Sequence, residues 1–187
     1  MKSGLKVRAD RSQAVFSALN EIARRDVLVG IPEAASDRQP EDGEKPGIGN
    51  AQIGYINEYG SPAQNIPPRP HLQPGVKSVH AETTAKMKAA AQAVFDGRTG
   101  TATAALELAG TIASQAVKSY MTSADFTPLS PATLKARARR GRKGAAKELQ
   151  SRAAGNAPDN ANARPLIDEG QYRRAMTYLV RDKNANS

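Results

Sequence analysis

Apolar and charged residues alternate from Leu5 to Ala9, and from Val15 to Ala23 the apolar positions recur every three or four residues. This change of period predicts a half-exposed strand followed by a helix, with Ser12 as its cap and Val15, Phe16, Leu19, Ile22 and Ala23 as one apolar stripe. Val27 to Ile31 reads VLVGI, a β-branched run ended by Pro32, which predicts a second, buried strand. Residues 33–49 carry Gly, Pro and charge without apolar periodicity, as a flexible loop does. Asn50 then caps a helix through Ile53, Ile56 and Tyr59, and Gly60 supplies its left-handed stop. Pro62, Pro67, Pro68, Pro70 and Pro74 follow, so Asn65 to Leu72 is expected to be a stiff polyproline-like arm. Such a segment loses little entropy on docking, either on another chain or on the body of its own fold.

Beyond the arm, a long helical pattern starts at Pro74 or Gly75, runs through Val76, Val79, Met87, Ala90, Val94 and Phe95, and closes at Gly97. A second pattern covers Thr101 to Ser123, and the short turn between them predicts an antiparallel pair. Ser130 and Pro131 open a further helix that passes Leu134 into a basic stretch and frays near Gly141. Residues 141–164 lack an apolar stripe and are expected to be a mobile excursion. Asp168 is then placed to cap a short helix from Gln171 to Arg174, and Met176, Tyr178 and Val180 alternate as a final strand. The pattern describes one α+β domain over residues 1–187. Its small sheet, from Leu5–Ala9, Val27–Ile31 and Ala175–Arg181, packs against several helices, with extended loops at 33–49 and 141–164.

Composition makes the core thin: aromatics are 4% of 187 residues, Trp is absent, and alanine supplies much of the apolar content. Because stabilisation follows apolar area, such a protomer either draws stability from neighbouring copies or is an ordinary small helical domain of modest stability. The chain has no cysteine, which excludes disulfides and thiolate chemistry. Its amino-terminal stretch lacks the apolar core of a signal peptide and no apolar run reaches membrane-spanning length, so the expected setting is the cytoplasm or an assembly built there. The net charge of +9 is concentrated between Lys135 and Arg152.

Reactive groups are few. His71 and His80 are the only histidines and sit in no metal-binding motif, which suits satisfied surface or interface side chains. The GIGNAQIG run at Gly47–Gly54 has neither the spacing nor the lysine of a phosphate loop. No catalytic residue, metal, cofactor or small-molecule substrate is expected. Arg69, held between prolines, is placed to pair bidentately with a carboxylate, Glu58 being the internal candidate, as a structural clamp or as an interface anchor. Arg137, Arg139, Arg140 and Arg142 form a basic patch with three readings: a solvated mobile loop, docking on an acidic face, or non-specific contact with DNA phosphates.

A helix ending in Glu58, Tyr59 and Gly60, then Ile66, Pro67, Arg69, Pro70, Leu72 and Pro74, resembles the neck proteins of tailed bacteriophages, the virion morphogenesis, head-tail joining or tail completion group. Two further patches are similar to that family: Pro128 to Pro131 with Thr133, and Pro165 to Asp168 with Gly170 and Gln171, followed by Tyr178 and Val180. At His71 the family commonly has Phe, and at Glu169 commonly Thr. The resemblance implies a non-enzymatic virion protein forming a homo-oligomeric, hexameric ring around the DNA channel. It would join the connector or stopper to the tail terminator, and would be assembled in the host cytoplasm. Tyr55, Glu58, Tyr59, Ile66, Arg69, Pro70 and Leu72 are the expected contacts, with Arg137, Arg139, Arg140 and Arg142 for electrostatic docking. The alternatives are a basic nucleic-acid-binding module and a cytoplasmic assembly factor absent from the finished virion.

Overall fold

Small residues decide how closely the helices of this chain approach. A Cβ on Gly75 would lie 2.7 Å from the Val117 Cα, and one on Gly110 would lie 2.2 Å from the Tyr178 ring. Two crossings therefore exclude any side chain. The computed structural model describes residues 10–38 and 47–183. The expected strand Leu5–Ala9, and residues 39–46 of the expected first loop, lie outside the described residues.

The elements in order are α1 (Ser12–Arg24), β1 (Arg25–Gly30), α2 (Asn50–Tyr59), α3 (Leu72–Ser78), α4 (His80–Phe95), α5 (Thr99–Ser123), α6 (Pro131–Arg139), α7 (Lys143–Ala153), α8 (Gln171–Ala175) and β2 (Thr177–Asp182). The fold is α+β: helices cover one face of a two-stranded antiparallel ribbon in which Val27 faces Val180 and Leu28 faces Leu179. Helices α3 and α4 together run antiparallel to α5, since Val94 of α4 and Ala102 share one cluster at the turn while Val76 of α3 and Val117 share another at the far end. Val27 and Val180 pack into the first cluster, Val29 and Met176 into the second. Helices α6 and α7 form a third cluster around Leu134 and Ala145.

Several local expectations change. Arg11, not Ser12, occupies the cap position of α1, and the Asp10 carboxylate accepts the Ser12 N–H at 2.9 Å. None of the expected α1 stripe is buried: Val15, Phe16, Leu19 and Ala23 are exposed and Ile22 is half-buried, while Ala18, outside the stripe, is the buried residue because the helix rests on α4 through small side chains. Gly49 takes the cap position of α2, and Asn50 is buried one place later, its amide bonded to the Ala35 and Asp37 carbonyls. The arm ends sooner than expected: Leu72 begins α3, and Val79 separates α3 from α4. Ser130 caps α6 by accepting the Thr133 N–H, with Pro131 in the first turn, as the sequence indicates.

The largest correction concerns residues 141–164. Residues 143–153 are helix α7, and the fully buried Glu148 carboxylate accepts from Arg152 at 2.8 Å, Asn162 at 3.1 Å and the Asp159 N–H at 3.3 Å. Asn160 donates to the Phe126 carbonyl and to Asp125. One buried carboxylate thus gathers the segment that periodicity leaves unassigned, by polar bonds that carry no periodic signature.

Candidate functional site

The proline arm, α2 and α8 build a polar cluster in the interior, around buried Arg69 and His71. Glu58, on the last turn of α2, accepts the backbone N–H groups of His71, Leu72 and Gln73 at 2.8, 2.9 and 3.1 Å. One carboxylate from another helix thereby satisfies the otherwise orphan donors that open α3. His71 is buried, with Nδ1 2.9 Å from the Arg69 carbonyl and 3.1 Å from Glu58. Its Nε2 meets the hydroxyl of buried Tyr172.

These partners fix the tautomer: Nδ1–H donates towards the Arg69 carbonyl and Glu58, and Nε2 accepts from Tyr172. Burial raises the Tyr172 pKa, and the Glu58 charge adds to this, so the phenol remains a donor. Burial also lowers the His71 pKa, against the opposing influence of the Arg69 carbonyl and Glu58. A base whose folded pKa lies below the unfolded 6.5 is protonated first in the unfolded chain, so stability is complete above that pH and declines below it. Thermal melts should show the wild-type chain losing stability as pH falls from 7.5 towards 5, with a shallower decline in His71→Gln. Parallel slopes for the two proteins would refute a neutral buried His71.

Arg69 does not pair with Glu58. Its guanidinium is buried and donates to the Thr127 and Pro128 carbonyls at 2.9 and 3.4 Å, and its own N–H bonds the Asn57 carbonyl at 2.6 Å. It is therefore an internal clamp between the arm and the α5–α6 connection, and the interface role expected for it is corrected. Glu58 is largely enclosed, Leu72 packs into the core beside Val117, and Ile66 is half-buried in a bridge with Ser61. Of the expected contacts, Tyr55, Tyr59 and Pro70 remain exposed. The two tyrosines are each 68% exposed, with ring centroids 4.9 Å apart along one face of α2.

The basic patch is largely structural. Arg137 is buried and donates to the carbonyls of Arg164, Ile167 and Pro165, each at 2.9 Å. Arg140 and Arg142 pair with Asp168 at 2.8 and 3.1 Å, and Arg142 also reaches Glu169 at 3.2 Å. Asp168 consequently does not cap α8, whose cap position is Gly170. Electrostatic docking through Arg137, Arg140 and Arg142 is corrected to internal bridging, because two adjacent carboxylates meet them across the fold. Arg139 is exposed, as are Lys135, Lys143 and Lys147.

Next to the Glu58–His71–Tyr172 cluster lies a groove of about 840 Å³. One wall is β1 and the following residue, through Val27, Val29, Gly30 and Ile31; the other is α2, through Tyr55 and Tyr59; Leu72, Val76 and Met176 line its floor. The histidine and carboxylate beside it are spent on backbone and tyrosine partners, and the lining is mainly apolar. Such a surface suits contact with a chain better than bond-making chemistry. Sequence reasoning found Tyr55 and Tyr59 but missed the β1 edge and Tyr172, whose approach to α2 from the far end of the chain leaves no local signal.

Among the described residues, no group of three or more His, Cys, Asp or Glu is placed to hold a metal ion, and no helix is long and apolar enough to cross a membrane. No protein-family model matches the sequence, and no curated protein or solved structure matches it.

Proposed function

We propose that this chain is a non-enzymatic structural subunit that works by closing into a ring with copies of itself. The resemblance to phage neck proteins makes that ring a sixfold collar around the DNA channel, joining the connector or stopper to the tail terminator. The subunit acts first in the host cytoplasm and then in the neck of the virion.

One observation carries the reading: the chain buries its small apolar side chains and leaves many of its large ones outside. Alanines make up much of the buried core, while Phe16 at 62%, Tyr55 and Tyr59 at 68%, Phe95 at 47% and Leu179 at 51% remain exposed. Tyr55 and Tyr59 stand side by side, and exposed adjacent aromatics of this kind are enriched at protein contact faces, where they gain the burial that the protomer denies them. The pairing of Arg140 and Arg142 with Asp168 and Glu169 weakens the alternative of a DNA-binding module.

Replacing Tyr55 and Tyr59 together with Ser should leave the melting temperature of the isolated subunit within a few degrees of wild type, since both rings are largely solvated. Sedimentation should then show the ring dissociated, and virion assembly should yield separate heads and tails. A double variant that still forms rings and joins heads to tails would refute the assigned contact face.

A further inference from the structure

The structure divides the eight cations between Lys135 and Arg152 into two sets of four. Arg137, Arg140, Arg142 and Arg152 are spent inside the fold, on the Arg164, Pro165 and Ile167 carbonyls, on Asp168 and on Glu148. Lys135, Arg139, Lys143 and Lys147 are exposed, and among the described residues none of them makes an ion pair or a side-chain hydrogen bond. They stand four residues apart on α6 and on α7, so each pair shares one helix face with its charges about 6 Å apart along the axis. Arg139 and Lys143 flank the short turn joining the two helices, which pack together through Leu134, Ala138, Ala145 and Leu149. The one acid of this hairpin, Glu148, is buried against Arg152, so no carboxylate of α6 or α7 offsets the four charges.

We infer that the exposed side of the α6–α7 hairpin binds the phosphate backbone of a nucleic-acid duplex, without reading its sequence. This surface stands whether or not copies of the chain close into a ring. Its composition selects the partner. Three of the four cations are lysines, compact point charges suited to phosphate, whereas contact faces between proteins are depleted in Lys and enriched in aromatic residues. No aromatic residue occurs from Thr127 to Gln171, so the bases of a single strand find nothing to stack on. No large apolar side chain is exposed on α6 or α7, and a helix lying on a membrane needs such a face.

The inward arginines serve the outward cations. By tying the hairpin to residues 164–168 they order the platform before contact, so binding costs the entropy of the charged side chains alone. The exposed neighbours Ala132, Ala136 and Gly141 are small, which leaves those side chains free to reach a backbone. Four phosphate contacts predict an affinity whose logarithm falls with that of the salt concentration at a slope of about −3.6. Contacts of this kind position a duplex and carry no sequence information.

Fluorescence anisotropy of the full chain with a labelled DNA duplex of about 30 base pairs tests this. Binding should weaken about a hundredfold as salt rises from roughly 25 to 100 mM. The fourfold variant Lys135→Gln, Arg139→Gln, Lys143→Gln, Lys147→Gln should keep its melting temperature within a few degrees, since all four side chains are solvated, and should bind about thirtyfold more weakly with a nearly flat salt response. Each single replacement should lower the slope by about 1. A charge-matched variant, Arg11→Gln, Lys77→Gln, Lys86→Gln, Lys88→Gln, should lose less than about threefold, because those cations lie outside the hairpin. Equal losses in the two fourfold variants would assign binding to overall charge and overturn the inference, as would a wild-type chain that ignores the duplex at low salt. Tighter binding to polyglutamate than to the duplex at matched salt would make the partner an acidic protein face, and would overturn it as well.

Discussion

Replacing Arg137 with Met should destabilise the subunit by about 3–5 kcal/mol, the range found when one partner of a buried charged network is removed. The guanidinium is a buried hub: it donates to three carbonyls, at Arg164, Pro165 and Ile167, and its Nε lies 3.6 Å from Asp168. Met fills much of the volume but donates nothing, so three carbonyls lose their partner at once and the 164–167 turn loses its tie to α6. In a chain of this size each kcal/mol moves the melting temperature by about 2–4 °C, so a fall of roughly 6–20 °C is expected. Arg137→Lys should recover only part of it, because one ammonium cannot reproduce a planar fork that reaches three acceptors. Calorimetry on the three proteins decides the matter: were Arg137 a surface docking residue, both variants would melt with the wild type and lose only affinity for a polyanion.

Glu58→Ala should cost about 3 kcal/mol, through the start of α3. Three backbone N–H groups and the His71 ring converge on this carboxylate, and charged acceptors contribute more per hydrogen bond than neutral ones. Without it the first turn of α3 loses its cap and His71 loses one of the groups that orient its ring. Glu58→Gln should fall between, since its amide presents one oxygen to donors that now share two. Hydrogen exchange at Leu72 and Gln73 should quicken in both variants relative to the amides of α5. Unchanged protection there, with an unchanged melting temperature, would show that Glu58 is dispensable to the cap.

Arg69 and Arg137 show why side-chain roles were harder to read than elements. Each stands in a setting that reads as surface chemistry, one between prolines and the other in a run of cations. Each is buried because carbonyls from irregular segments, Thr127–Pro128 and Arg164–Ile167, need donors and have no ladder to supply them. Those carbonyls are distant in sequence, and their need is set by how the loops cross. The same holds for Asp168, which suits a helix cap by position and is drawn to Arg140 and Arg142 by proximity. Residues 143–153 were illegible for a related reason: α7 buries Ala145 and Glu148 against its surroundings, and neither contributes to an apolar stripe.

What the sequence determined by itself is the local order: the strand at Val27, the helix stopped at Gly60, the paired long helices, the Ser130–Pro131 start and the last strand. These follow from period, from proline and glycine, and from capping side chains, all of which act within a few residues. The tertiary structure alone decided which polar groups are spent inside and which surfaces are left over. It turned Arg69, Arg137 and His71 inward, left Phe16, Tyr55 and Tyr59 outside, and opened the groove beside β1. The physical reason is that burial and hydrogen-bond demand arise only when distant segments meet, whereas backbone geometry is fixed by neighbours in the chain.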